Sequence, residues 1–161
     1  MKRVGIISLI LVFIDQIVKY LIISNIKLYS HIKIIPSFFY ITNVRNTGAA
    51  WSILSGNRFL LIGIGIIAII LIYIFFIKGK KLSWYDIICY SFLFGGIIGN
   101  LIDRIFLGYV IDYLEFIFGK YHYPVFNCAD MFIVVSIVLI IMKTIWEDVC
   151  KKKELKKEIS D

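Results

Sequence analysis

The run FLLIGIGIIAIILIYIFFI, residues 59–77, carries no charged side chain and only one hydroxyl in nineteen positions. At about 1.5 Å per residue a helix of that length reaches about 28 Å, close to the ~30 Å hydrocarbon core of a bilayer. Outward from it the same pattern recurs at residues 4–23, 84–102 and 129–146. The chain of 161 residues is 60% hydrophobic with two prolines, and its mean hydropathy is +0.88. A soluble domain of this size has too little interior to hide that much apolar surface. The expectation is an all-α membrane protein, one polytopic domain over 1–161 with four transmembrane helices.

Lys2 and Arg3 before the first run resemble the start of a secretory signal. The run is too long for one, contains Asp15 and Lys19, and is followed by no small-x-small cleavage site. It is expected to remain as the first span. Basic residues then set the orientation. The termini and the 78–83 connection share one side and, with Lys143 near the end of the fourth run, hold eleven Lys and Arg, whereas connections 24–58 and 104–128 hold six. Cytoplasmic termini, with a cytoplasmic tail at 147–161, are predicted. The net charge of +7 is read as a membrane-facing charge that meets anionic lipid, with no nucleic-acid partner.

Both outer connections are long and apolar. Residues 32–44 are rich in β-branched and aromatic side chains and predict short strands, followed by a turn at Arg45-Asn46-Thr47-Gly48. Residues 104–128 carry eight Phe and Tyr, which predict an aromatic belt and a short surface helix. Together they predict a small extracytoplasmic β platform covering a site at the outer leaflet. Cys89, Cys128 and Cys150 have no disulfide or metal spacing and are read as packing residues. His31 and His122 stand alone as interfacial hydrogen-bonding residues. No metal site and no cofactor are expected, and no zinc-protease helix, serine-hydrolase elbow or Walker loop is present.

Charge inside the membrane is costly, about 2.5–3.5 kcal/mol per residue on the insertion scale. Asp15, Asp103, Asp112 and Asp130 therefore need partners or a task. Asp15 and Lys19 are four apart and share a helix face. They form either a structural pair, with Lys19 reaching toward the interface, or a part of the chemistry. In GGIIGNLIDR, residues 95–104, Gly95 and Gly99 allow a close helix approach. Asn100 and Arg104 project to one side, as a structural network or as a donor pair for a substrate. Asp103 needs a partner from another element. Asp112 and Asp130 follow the third span and open the fourth, and neither has a basic neighbour four residues away. At about 4 Å and an effective dielectric of about 20, two such charges repel by about 4 kcal/mol, enough to keep a proton on one of them. Asp130, at a helix N-terminus, is the favoured anion.

The ordered motifs DQIVK (15–19), NTGAAWS (46–52), GGIIGNLIDR (95–104), VID (110–112) and FNCAD (126–130) resemble the bacterial lipoprotein signal peptidase family, signal peptidase II. The resemblance implies a four-span aspartic endopeptidase of the cytoplasmic membrane that cleaves prolipoproteins before a diacylglyceryl-modified cysteine and is inhibited by globomycin. It implies Asp112 and Asp130 as the catalytic pair. It places Asn46, Gly48, Asn100, Arg104 and Asn127 around the substrate backbone, and Asp15, Lys19 and Asp103 as supporting polar residues. Lipidated prolipoproteins, membrane lipids and globomycin-type inhibitors are the expected partners, and a monomer is expected. Trp51, Cys128 and Met131 depart mildly from the family pattern. A small proton-coupled membrane transporter is the alternative, since it too retains intramembrane carboxylates.

Overall fold

The fold was taken from a computed structural model, which describes residues 1–49 and 53–160, with side chains as far as residue 154. Ala50, Trp51 and Ser52 of the loop motif lie outside the described residues. The elements are α1 (Lys2–Asn25), β1 (His31–Ile35), β2 (Phe39–Asn46), α2 (Arg58–Ile72) continued by a π-helical turn (Tyr73–Ile77), α3 (Trp84–Phe106), β3 (Val110–Phe118), β4 (Tyr121–His122) and α4 (Cys128–Ser160). All four apolar runs form helices long enough to cross a membrane, and α3 is the most enclosed of them.

Small residues make α3 the hub. A Cβ on Gly95 would stand 2.9 Å from Leu11 of α1, and one on Gly96 would stand 2.3 Å from the carbonyl oxygen of Ala129 on α4. These approaches are possible only without side chains, which is how helices gain dispersion contact in lipid. α3 begins with a capping box, in which Ser83 and Asp86 exchange hydrogen bonds, satisfying amides the helix leaves open. Asp86 is also paired with Lys143 of α4, which closes that end of the bundle.

The strands form one antiparallel sheet in the order β1-β2-β3-β4. The strands predicted at 32–44 are present. The surface helix predicted within 104–128 is not: beyond the end of α3 the described residues there form β3, β4 and turns. The aromatic density suggested a helix, but the segment alternates with period two. Ile111 and Tyr113 pack on Ile22 and Ile26 at the end of α1, while Val110 and Asp112 line a cavity on the other face. The molecule is thus four helices plus a four-stranded sheet rather than all-α.

A bulge decides how the sheet serves that cavity. Ile41 pairs with Leu114 but Val44 with Asp112, so β2 carries one extra residue. Thr42 and Asn43, at the bulge, are buried and bond to Ser30 O at 3.0 Å and Ile26 O at 2.8 Å, fixing the sheet to the end of α1. Beyond the bulge the register places Asn46 on the face of Asp112; a slip of one residue would turn it away. Farther out, Glu115 lies between His31 Nδ1 at 2.7 Å and His122 Nδ1 at 3.4 Å. Both histidines therefore act as the hydrogen-bonding residues expected of them, tying β1, β3 and β4 together.

Candidate active site

Two backbone features bring β3 to the start of α4. Phe126 O accepts from the amides of Tyr113 at 3.0 Å and Leu114 at 2.8 Å, and Phe126 N donates to Leu114 O at 3.1 Å. The Cys128 amide donates to the Tyr113 hydroxyl at 3.0 Å. Burial pushes the Tyr113 hydroxyl pKa well up, so it stays a neutral partner.

Asn127 then caps α4. Its Oδ1 accepts from the Asp130 amide at 3.0 Å, and Asp130 Oδ2 accepts from the Asn127 amide at 3.2 Å. This is the reciprocal capping pattern, and it sets an anion on the positive end of the helix. The Asn127 side-chain amide donates to Asp112 Oδ1 at 2.7 Å and Asn100 Oδ1 at 3.1 Å. Asn100 Nδ2 donates to Asp130 Oδ1 at 2.7 Å, and Asn46 Nδ2 to Asp112 Oδ2 at 2.9 Å. Asp112 and Asp130 thus come from separate elements, are joined through the two asparagines, and line one cavity of about 640 Å³. Asn46 is held in turn by an Asx turn, its Oδ1 accepting from Gly48 N at 2.9 Å.

The Asp112 carboxyl is pushed up to about 7, first by burial and second by the charge of Asp130. Burial outranks the repulsion expected from the sequence, because Asp112 is only 2% exposed.

A second cluster lies directly behind. Lys19 Nζ meets Asp15 at 2.8 Å and Asp103 at 2.9 Å and donates to Asn100 Oδ1 at 3.2 Å. Lys19 is 1% exposed, so it is caged and does not reach toward the interface. Asp15 Oδ1 accepts from the Ala129 amide at 3.0 Å and Asp103 Oδ2 from the Ile111 amide at 3.1 Å. One buried ion cluster therefore ties α1 and α3 to the two segments that carry Asp112 and Asp130. Gln16 completes it, donating to Asp103 Oδ1 at 2.9 Å and Gly99 O at 3.3 Å. Sequence reading gave Gln16 no role; its place next to Asp15 in the first motif was the available signal.

The residues expected around a substrate divide into two groups. Asn46, Asn100 and Arg104 are in the cavity wall with Asp112 and Asp130. Gly48 is buried and offers its carbonyl to Arg104 at 2.9 Å. Asn127 is fully buried, its amide consumed by Asp112 and Asn100, so it positions the carboxylates from behind. Asn100, committed to Asp130, does the same from the wall. Arg104 keeps a buried Nε with no partner among the described residues, a spare donor beside the two carboxylates. The apolar remainder of the wall comes from α2, α3 and α4, including Leu61, Ile97 and Val134, and from Val110 and the 124–126 segment. No group of His, Cys, Asp and Glu suited to a metal occurs among the described residues.

Four apolar helices, three of which help to wall a cavity holding two carboxylates and an arginine, define a multi-pass membrane protein with an enzyme-like polar site. Two solved structures described as bacterial membrane enzyme structures obtained by the in meso method share this fold. One, at 2.3 Å resolution, superposes with a TM-score of 0.83 at 35% identity, covering 92% of this chain and 90% of that one. The other, at 1.9 Å, gives 0.79 at 36% identity, covering 89% and 93%. Lipoprotein signal peptidases of Staphylococcus aureus, strains JH9 and Newman among them, are 40% identical over 148 residues, 92% of this chain and 90% of theirs. The family model for signal peptidase (SPase) II matches residues 7–146. The chain belongs to the signal peptidase II family, and it is a peptidase. The transporter alternative finds no support.

Proposed function

We propose that this protein removes signal peptides from prolipoproteins, cleaving before a diacylglyceryl-modified cysteine, with Asp112 and Asp130 as an aspartic catalytic pair. The observation that carries the reading is the joining of those two carboxylates, from β3 and from the first turn of α4, through Asn127 at the wall of one cavity. Asp130 has donors on both oxygens, at the positive end of α4, with Arg104 within electrostatic range. It is the general base that takes a proton from the attacking water. Asp112, held near pH 7, keeps its proton and donates it to the scissile carbonyl oxygen. No covalent enzyme intermediate forms: as the C–N bond of the resulting gem-diol breaks, Asp130 passes the proton to the leaving amine nitrogen and Asp112 recovers its own from a gem-diol hydroxyl, leaving the new carboxyl group. Arg104, whose guanidinium stands in the wall with both carboxylates, is the group able to hold the peptide and stabilise developing charge, while Asn46, its amide given to Asp112 and Ala49, positions Asp112.

In this reading the sheet lies on the extracytoplasmic side, the termini are cytoplasmic, and the cavity opens at the outer leaflet of a bacterial membrane. The excess of basic residues around the termini supports that orientation, and the apolar wall of the cavity suits a lipidated, membrane-anchored substrate. The test is cleavage of a purified diacylglyceryl-modified precursor in detergent, scored by the mass of the released peptide. Release of a peptide ending before the lipidated cysteine is expected; intact precursor, or cleavage elsewhere, refutes the assignment.

A further inference from the structure

A second cavity, of about 360 Å³, lies between α1, the π-helical end of α2 and α3, and shares no wall residue with the first. It falls in the ordinary range of ligand pockets, roughly 300–1,000 Å³. Its wall is apolar apart from Ser8 and Tyr73, and the Ser8 hydroxyl is already given to Ser91 O at 3.1 Å. The π-helical turn supplies two wall residues, Tyr73 and Ile77, from its two ends; such turns are frequent at functional sites.

Gly5 in this wall has no packing reason to be glycine. On α3, Gly95, Gly96 and Gly99 are each filled by a neighbouring helix within 3 Å, whereas a Cβ on Gly5, like one on Gly63 of α2, meets nothing within 4 Å, and of these two only Gly5 lines a cavity. A glycine inside a helix costs about 1 kcal/mol relative to alanine, and here no protein contact offsets it. The space it leaves belongs to the groove.

The end of the groove marked by Met1 and Ile77 is cationic. Lys2 follows Met1, Lys78 follows Ile77, and Arg3, Lys80 and Lys81 are close in sequence. Arg3 and Lys80 lie over the rings of Trp84 and Phe76, at 4.6 and 5.5 Å. None of these five makes an ion pair among the described residues, and the nearby Asp86 is taken by Lys143. The first turn of α1 contains no acidic residue and no side-chain cap, so its open amides favour an anion as well.

We infer that this groove binds an anionic glycerophospholipid, one acyl chain lying along Gly5, Leu9 and Ile69 and the phosphate held by Lys2 and Lys78. A second copy of the chain would bring its own basic end to the same place and is disfavoured by charge.

The test uses full-length protein in detergent with two diacyl phospholipids, one bearing phosphoglycerol and one phosphocholine, each with a photoreactive group on an acyl chain. Labelling is mapped by mass spectrometry. Cross-links are expected to residues 5–12 and 69–77, with the anionic lipid preferred by roughly tenfold or more. Gly5→Leu should fill the groove and lose those cross-links while precursor cleavage persists. Lys2→Gln combined with Lys78→Gln, both on exposed positions, should keep the fold and lose the preference for the anionic lipid. Equal labelling by both lipids, labelling unchanged in Gly5→Leu, or cross-links between chains would each overturn the inference. Loss of cleavage in the wild type with labelling intact would count against the proposed peptidase function and not against this site.

Discussion

Asp112 and Asp130 share Asn127 as a hydrogen-bond partner but differ in surroundings. Asp130 has a helix N-terminus and a nearby arginine, while Asp112 has burial and a neighbouring negative charge, and this asymmetry assigns base and acid. Asp112→Asn and Asp130→Asn should each lower turnover of a lipidated precursor by about 10²–10⁴-fold, the range of a lost general acid or base. Activity should also fall as pH rises through about 7, where Asp112 gives up its proton; a rate flat to pH 9 would remove Asp112 as the acid. The same shift has a stability consequence. A carboxyl raised from its ordinary 3.8 to about 7 binds its proton more tightly in the folded state, so its contribution is lost as pH rises through that window. Asp112→Asn should therefore leave Tm at pH 8 unchanged or raised, although it weakens the contact with Asn46. Asn127→Ala strips a donor from Asp112 and from Asn100 without altering the cavity wall, so kcat should drop while KM holds.

At the scale of elements, α3 and the ion cluster hold the site together. Lys19→Met would leave Asp15 and Asp103 buried without a cation, at a cost of about 3–5 kcal/mol, and a large loss of Tm in detergent is expected. Adding Asp15→Asn should recover part of it. Gly96→Ala would drive a methyl group into the Ala129 carbonyl and push α4 away from α3, and with it Asp130 away from Asn100. The helices were legible because an apolar run of bilayer length has one solution in lipid: every backbone group must be bonded within the segment. β3 was less legible. Phe116, Phe118, Tyr121 and Tyr123 suit an amphipathic surface helix as well as a strand, and only pairing with β2, distant in sequence, settles the choice.

For the whole molecule, four spans put both termini on one side and the sheet on the other. In intact bacterial cells, an impermeant thiol reagent should label a cysteine introduced at Lys33 or Lys120 and miss Cys150 until the membrane is opened. Labelling of Cys150 from outside would invert the proposed topology. Cys89, 2% exposed beneath α4, should stay silent in both conditions.

The number of membrane helices, the residues that cannot be left unpaired within them, and the family that their order resembles could all be read from the chain alone, because local composition and spacing determine each. Which partner each polar group takes was decided only by the tertiary structure. Whether Asn127 faces a substrate or clamps two carboxylates, and whether Lys19 reaches solvent or is caged, depends on a bulge at Thr42–Asn43 and on how closely α3 approaches its neighbours. Both are long-range packing outcomes, and no local pattern encodes them.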